Sequence, residues 1–103
     1  MIKKKNYQIQ LHADDLGRSK YINATIFKSI DRGFVTGVST MINHKHSLEG
    51  LKGAKRRSIK MRLHLNLTEG RSMCRYHTKS ILVNNKGVFC NSFFSLLTAP
   101  LKP

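Results

Sequence analysis

Tyr7-Gln8-Ile9-Gln10-Leu11-His12-Ala13-Asp14-Asp15-Leu16-Gly17 opens on a period of two and closes on two adjacent carboxylates. Tyr7, Ile9, Leu11 and Ala13 alternate with Gln8, Gln10 and His12, so residues 7–13 are expected to form a β-strand. Asp14-Asp15-Leu16-Gly17 then breaks the alternation. Ser19 can cap a helix whose apolar stripe is Ile22, Ile26, Phe27 and Ile30, with Gly33 ending it. Residues 35–41 are rich in β-branched side chains and read as a second strand. Residues 47–57 suit a short helix, weakened by Gly50 and Gly53. Met61, Leu63, Leu65 and Leu67 alternate with Lys60, Arg62, His64 and Asn66, which predicts a third strand. Strand, helix, strand, helix, strand in this order implies an α/β fold of βαβ units on a parallel sheet.

Downstream, Ile81-Leu82-Val83 and Val88-Phe89 flank Asn84-Asn85-Lys86-Gly87, the pattern of a small hairpin. Residues 93–97 begin a further helix, and Pro100 and Pro103 follow. Three parallel strands with two helices leave sheet edges open, which natural proteins avoid. The 103 residues are therefore expected to form a single incomplete domain.

Lys and Arg number 19 and Asp and Glu only 5, a formal charge of +14. A surplus of that size attracts polyanions, with binding that weakens as salt rises. The cations cluster at Lys3-Lys4-Lys5 and again at Lys52, Lys55, Arg56, Arg57, Lys60 and Arg62. Such runs are ordinarily a solvated face, and no zinc-finger spacing or RNA-binding aromatic signature accompanies these. Hydrophobic residues at 40% suffice for a core, which excludes wholesale disorder. No apolar run reaches the roughly 20 residues that cross a bilayer. Cys74 and Cys90 form neither a disulfide framework nor a close pair, and a reduced, cytoplasmic protein is the expectation.

The acid pair is the sharpest chemical feature. Side-by-side carboxylates repel each other unless a cation or hydrogen bonds compensate, although turn formation and helix capping also use such residues. Neighbours in a regular strand point to opposite faces, so both acids reach one site only if the strand kinks there. His64 falls near the end of the third strand, and in a parallel sheet the first and third strands end at the same edge. That edge is where α/β enzymes build their sites. Asp15 and His64 thus become candidate oxygen and nitrogen ligands of one divalent cation. His44 and His46 follow the second strand with a spacing that could serve a metal, though such a loop pair more often faces solvent. His12 precedes the acids and is a candidate lining residue, and His77 carries no signal.

Three blocks of this sequence resemble the YdjC-like carbohydrate deacetylases, which include the chitooligosaccharide deacetylases. The first is His12-Ala13-Asp14-Asp15-Leu16-Gly17. The second is Arg32-Gly33-Phe34-Val35-Thr36 followed by Ser39-Thr40-Met41-Ile42-Asn43. The third and most specific is Leu63-His64-Leu65-Asn66-Leu67-Thr68-Glu69-Gly70. The segments flanking Asn84 also resemble the hairpin that follows in the family, and the likeness runs over residues 7–97. The resemblance implies a (β/α) barrel-like fold and a metal-dependent hydrolase that removes acetyl groups from N-acetylated oligosaccharides. It implies Asp15 and His64 as metal ligands, Asp14 as general base, and His12, Asn43 and Asn66 as residues lining the substrate. The implied cation is Mg²⁺ first, with Zn²⁺ or Co²⁺ as alternatives.

The sequence also departs from the family. Full-length members run to about 250 residues, the size of a barrel, and the family's later metal-binding histidine has no counterpart after His77. Arg62 stands where the family usually has glycine, on the strand face of His64, where a guanidinium would crowd or repel a cation. The expectation is the N-terminal portion of a deacetylase barrel, weakly active or inactive alone, served by a second copy or a complementing polypeptide. The alternative from another class is a basic interaction module that binds nucleic acid or another polyanion. No membrane association is expected.

Overall fold

A computed structural model describes residues 8–74 and 80–98. The order of elements is β1 (His12–Leu16), α1 (Lys20–Asp31), β2 (Gly37–Thr40), α2 (Ser47–Arg56), β3 (Lys60–Leu63) and α3 (Phe93–Leu97). The three strands form one sheet in the order β1-β2-β3, and both pairings are parallel. These are the βαβ units that the alternating patterns imply. Tyr7, His77, the lysines at 3–5 and the prolines at 100 and 103 lie outside the described residues.

α1 forms where its caps allow. Ser19 accepts a hydrogen bond from the Ile22 amide at 3.2 Å, satisfying one of the orphan donors of the first turn. At the other end Gly33 takes φ 75°. Its amide donates to Ile30 O at 2.8 Å, and the Phe34 amide to Ser29 O at 3.0 Å. This double closure satisfies the last carbonyls and requires the left-handed conformation that glycine adopts freely.

Both helices lie on one face of the sheet and touch each other. Leu16, Ile26, Val38 and Ala54 make the buried cluster, with Ile22, Phe27, Ile30, Val35 and Ile59 packed around it. Burying each large aliphatic here contributes about 1.5–3 kcal/mol. The two glycines of α2, which weaken it as an isolated helix, allow that close approach. A Cβ on Gly50 would stand 3.1 Å from Leu16 Cγ, and one on Gly53 would meet the Phe27 ring. Tertiary packing overrides helix propensity in α2.

The strands sit differently from the alternation. β1 begins at His12 and runs through both acids instead of stopping before them, and residues 8–11 are not strand. β2 is shorter than residues 35–41, and β3 ends at Leu63, before His64. Side-chain period fixes which face a residue takes, whereas pairing length depends on how many partner residues the neighbouring strand supplies, and β2 supplies four. β3 is exposed along its whole length.

In place of a laddered hairpin, residues 81–89 hold an isolated bridge, Val83 with Phe89, and Val88 bridges back to Arg71. The Asn84 side chain accepts from the Lys86 and Val88 amides and closes that turn. α3 covers the residues 93–97 that the sequence suggests, and Ser92 caps it.

Candidate functional site at the carboxyl edge of the strands

Between Ala13 and Leu16 the register of β1 slips against β2, so that Asp14 and Asp15 together stand opposite the single residue Ser39. Asp15 takes φ 67°, a left-handed conformation that aspartate tolerates better than most residues. This is the kink that two neighbouring acids need in order to face one region. Both line one cavity of about 300 Å³ with Tyr21, Ile22, Thr25 and Ile26.

His64 arrives from the neighbouring element. Its amide donates to Thr40 O at 2.9 Å, extending the β2–β3 pairing by one bond beyond the strand. That bond brings the imidazole to Asp15: His64 Nδ1 lies 3.3 Å from Asp15 Oδ1, and accepts from the Asp15 amide at 3.3 Å. Both side chains remain about one-third accessible. The sequence places these two residues 49 positions apart, and the parallel topology joins them.

Two residues of this cluster escape a reading based on strand periods, Arg18 and Glu69. Arg18 Nη1 lies 3.2 Å from Asp15 Oδ2, while its Nε and Nη2 grip Glu69 at 2.9 and 3.1 Å. Glu69 is held in turn by the loop after β3. Asn66 Oδ1 accepts from the Thr68 and Glu69 amides, and Asn66 Nδ2 donates to Glu69 O at 2.8 Å. Asn43 Nδ2 also reaches Glu69 O, at 2.9 Å, and Asn43 Oδ1 accepts from Asn66. The signal that could have singled out Glu69 is scarcity, since it is one of five acids in the chain.

Asn43 and Asn66 line, with His64, a second and mostly apolar cavity of about 160 Å³ that includes Leu63, Leu65 and Phe89. His12 stands apart from both cavities, its Nε2 2.9 Å from Ser39 Oγ. His44 and His46 diverge. His44 Nε2 approaches Asn66 Nδ2 at 3.3 Å, whereas the His46 ring meets Glu49 and its carbonyl accepts from Asn23. The guanidinium that reaches the acids is that of Arg18; Arg62 makes no ion pair among the described residues. Cys74 and Cys90 are free and exposed. Among the described residues no group of three His, Cys, Asp or Glu gathers around one point, and no helix is long and apolar enough to cross a membrane.

Fold and site together define a class: a parallel α/β protein with a carboxylate–imidazole pair where its strands end. The chain belongs to the YdjC-like protein family, which matches residues 8–102. It is similar to a carbohydrate deacetylase of Clostridium beijerinckii, with 35% identity over 80 residues, covering 77% of this chain and 32% of that relative. The chain thus spans about a third of the length of the curated relative that it matches. No solved structure matches it at the same stringency.

Proposed function

We propose that this chain carries the metal-binding half-site of a carbohydrate deacetylase acting on N-acetylated oligosaccharides, with Asp15 and His64 as ligands and Asp14 as general base. The observation that supports this most directly is the 3.3 Å between Asp15 Oδ1 and His64 Nδ1. Two donors each about 2.0–2.2 Å from one ion stand about 3–3.5 Å apart. A hard carboxylate oxygen with an imidazole nitrogen suits Mg²⁺, Zn²⁺ or Co²⁺, and of these the family likeness favours Mg²⁺.

Asp15 and His64 would hold a divalent cation, which when bound would supply polarisation of an amide carbonyl and a more acidic water. Asp14, beside it in the bulge, accepts the proton of the attacking water. The amide C–N bond then breaks, acetate leaves, and the sugar nitrogen takes up a proton to become an amine. Asn43 and Asn66, with the cavity they share with His64, supply amides and an apolar wall beside the ligand pair. His12 is the most peripheral lining residue, tied to Ser39. With two protein ligands the cation binds weakly, because affinity follows ligand count and a preformed cage.

A Co²⁺ titration followed by calorimetry and visible absorption tests the reading. Binding that disappears in both Asp15→Asn and His64→Ala supports it, and binding unchanged in either overturns it. Acetate release from N-acetylated chitooligosaccharides with added Mg²⁺, Zn²⁺ or Co²⁺ is expected to be slight for this chain alone and to vanish in Asp14→Ala.

A further inference from the structure

We propose that the opposite edge of the sheet, where the strands begin, binds single-stranded nucleic acid without regard to sequence. The inference stands independently of the deacetylase reading.

The parallel topology sorts the charges. Each helix runs back against its strand, so the ends of α1 and α2 and the start of β3 meet at one edge. Lys28 and Arg32 lie at the end of α1, Lys55, Arg56 and Arg57 at the end of α2, and Lys60 at the start of β3. One acid, Asp31, stands among these six cations. Arg57 holds it through a fork of 2.6 and 2.9 Å, which also ties the two helix ends together. All five acids of the chain lie within the described residues. Besides Asp14, which forms no ion pair among the described residues, the others engage Arg18, Arg57, His44, His46 and His64. Among the described residues no carboxylate pairs with Lys28, Arg32, Lys55, Arg56 or Lys60, and all five are exposed. A single cation in the last turn is enough to complement a helix dipole. The surplus remains as a field.

Two further features fit an unpaired strand. Phe34, 61% exposed, follows directly on Arg32-Gly33 at this edge. An exposed ring amid Lys and Arg is a platform on which an unpaired base stacks. Beyond it Gln8, Ile9, Gln10, Thr36 and Lys60 line an open groove, in which the glutamines and Lys60 offer amide and ammonium donors to a sugar–phosphate backbone. Phe34 and the exposed Ile9 together present too little apolar area to anchor a protein in a bilayer, which needs a broad amphipathic face.

The test is fluorescence anisotropy of a labelled oligothymidylate of about 16 nucleotides, titrated with the whole chain at salt between about 50 and 200 mM. Binding is expected to fall steeply as salt rises. The variant Lys55→Ala/Arg56→Ala/Lys60→Ala is expected to bind at least about tenfold more weakly, with a log–log salt slope shallower by about two. Phe34→Ala should weaken binding while leaving that slope unchanged. As a control for net charge, Lys20→Ala/Lys45→Ala/Lys86→Ala removes the same charge elsewhere and should cost far less. Circular dichroism of each variant establishes that it is folded. Equal losses in the two triple variants would overturn the proposal, because net charge would then suffice. So would indifference to Phe34→Ala, or equal affinity for heparin or phosphatidylglycerol vesicles.

Discussion

Arg18 Nη1 stands 3.2 Å from Asp15 Oδ2, on the oxygen that does not face His64. The guanidinium is thus a fixed positive charge on the carboxylate proposed as a metal ligand, and it is anchored from behind by Glu69. Like charges oppose each other, so Arg18 competes with a cation for Asp15. Arg18→Gln is expected to tighten Co²⁺ binding about two- to fivefold, the scale of an exposed ion pair. Calorimetry reads the change, and weaker or unchanged binding would assign Arg18 to holding the loop instead.

Asn23 is the buried polar hinge of the site. It is 1% exposed, accepts the Gly17 amide at 2.7 Å and donates to His46 O at 3.1 Å, joining the turn after β1 to the start of α2. Asn23→Ala leaves the Gly17 amide unpaired in the interior, while His46 O keeps the Gly50 amide, and is expected to cost about 1–3 kcal/mol. Asn23→Asp retains an acceptor for Gly17 but loses the donor to His46, so urea denaturation should place it well below the parent too.

Gly17 cannot carry a side chain. It sits at φ 98°, and a Cβ there would lie 2.8 Å from Met41 O and 2.9 Å from Ser47 Cα, both backbone atoms. Gly17→Ala is expected to lose about 2 kcal/mol or more, since neither neighbour can move away cheaply. Gly50→Ala gives a sharper contrast. Alanine favours the helix by about 1 kcal/mol, yet its methyl would crowd Leu16 and the Gly17 amide. A net loss in urea midpoint is expected; a gain would show that α2 can shift outward.

The Asp31–Arg57 fork gives a pH dependence of known sign. The hydrogen bond from Arg57 holds the Asp31 carboxyl below its ordinary range. A carboxylate whose folded pKa is lowered contributes stability that is present above its unfolded pKa and lost as pH falls through the folded value. Asp31→Asn should therefore lower the urea midpoint at neutral pH, and the gap should narrow as pH falls below the ordinary carboxylate range. A gap that persists in acid would mean that the side chain acts through packing or its neutral hydrogen bond.

The order of elements was legible in the residues themselves. Ser19 and Gly33 bracket α1 because a cap and a left-handed closure are local demands, met within a few residues. The βαβ succession follows from hydrophobic period, and the blocks around Asp14-Asp15 and His64 carried the family likeness. Tertiary structure decided the rest. Where β1 and β3 stop depends on how many residues β2 offers them. The bulge at Asp15 is a mismatch between two strands, invisible in either alone. Arg18 meets Glu69 across 51 positions because the loop after β3 folds back over the carboxyl edge. Gly50 and Gly53 read as helix weaknesses in sequence and become contact points only once Leu16 and Phe27 press against them. Local conformation is written in nearby residues, but pairing and close approach belong to surfaces that meet only when the chain is folded.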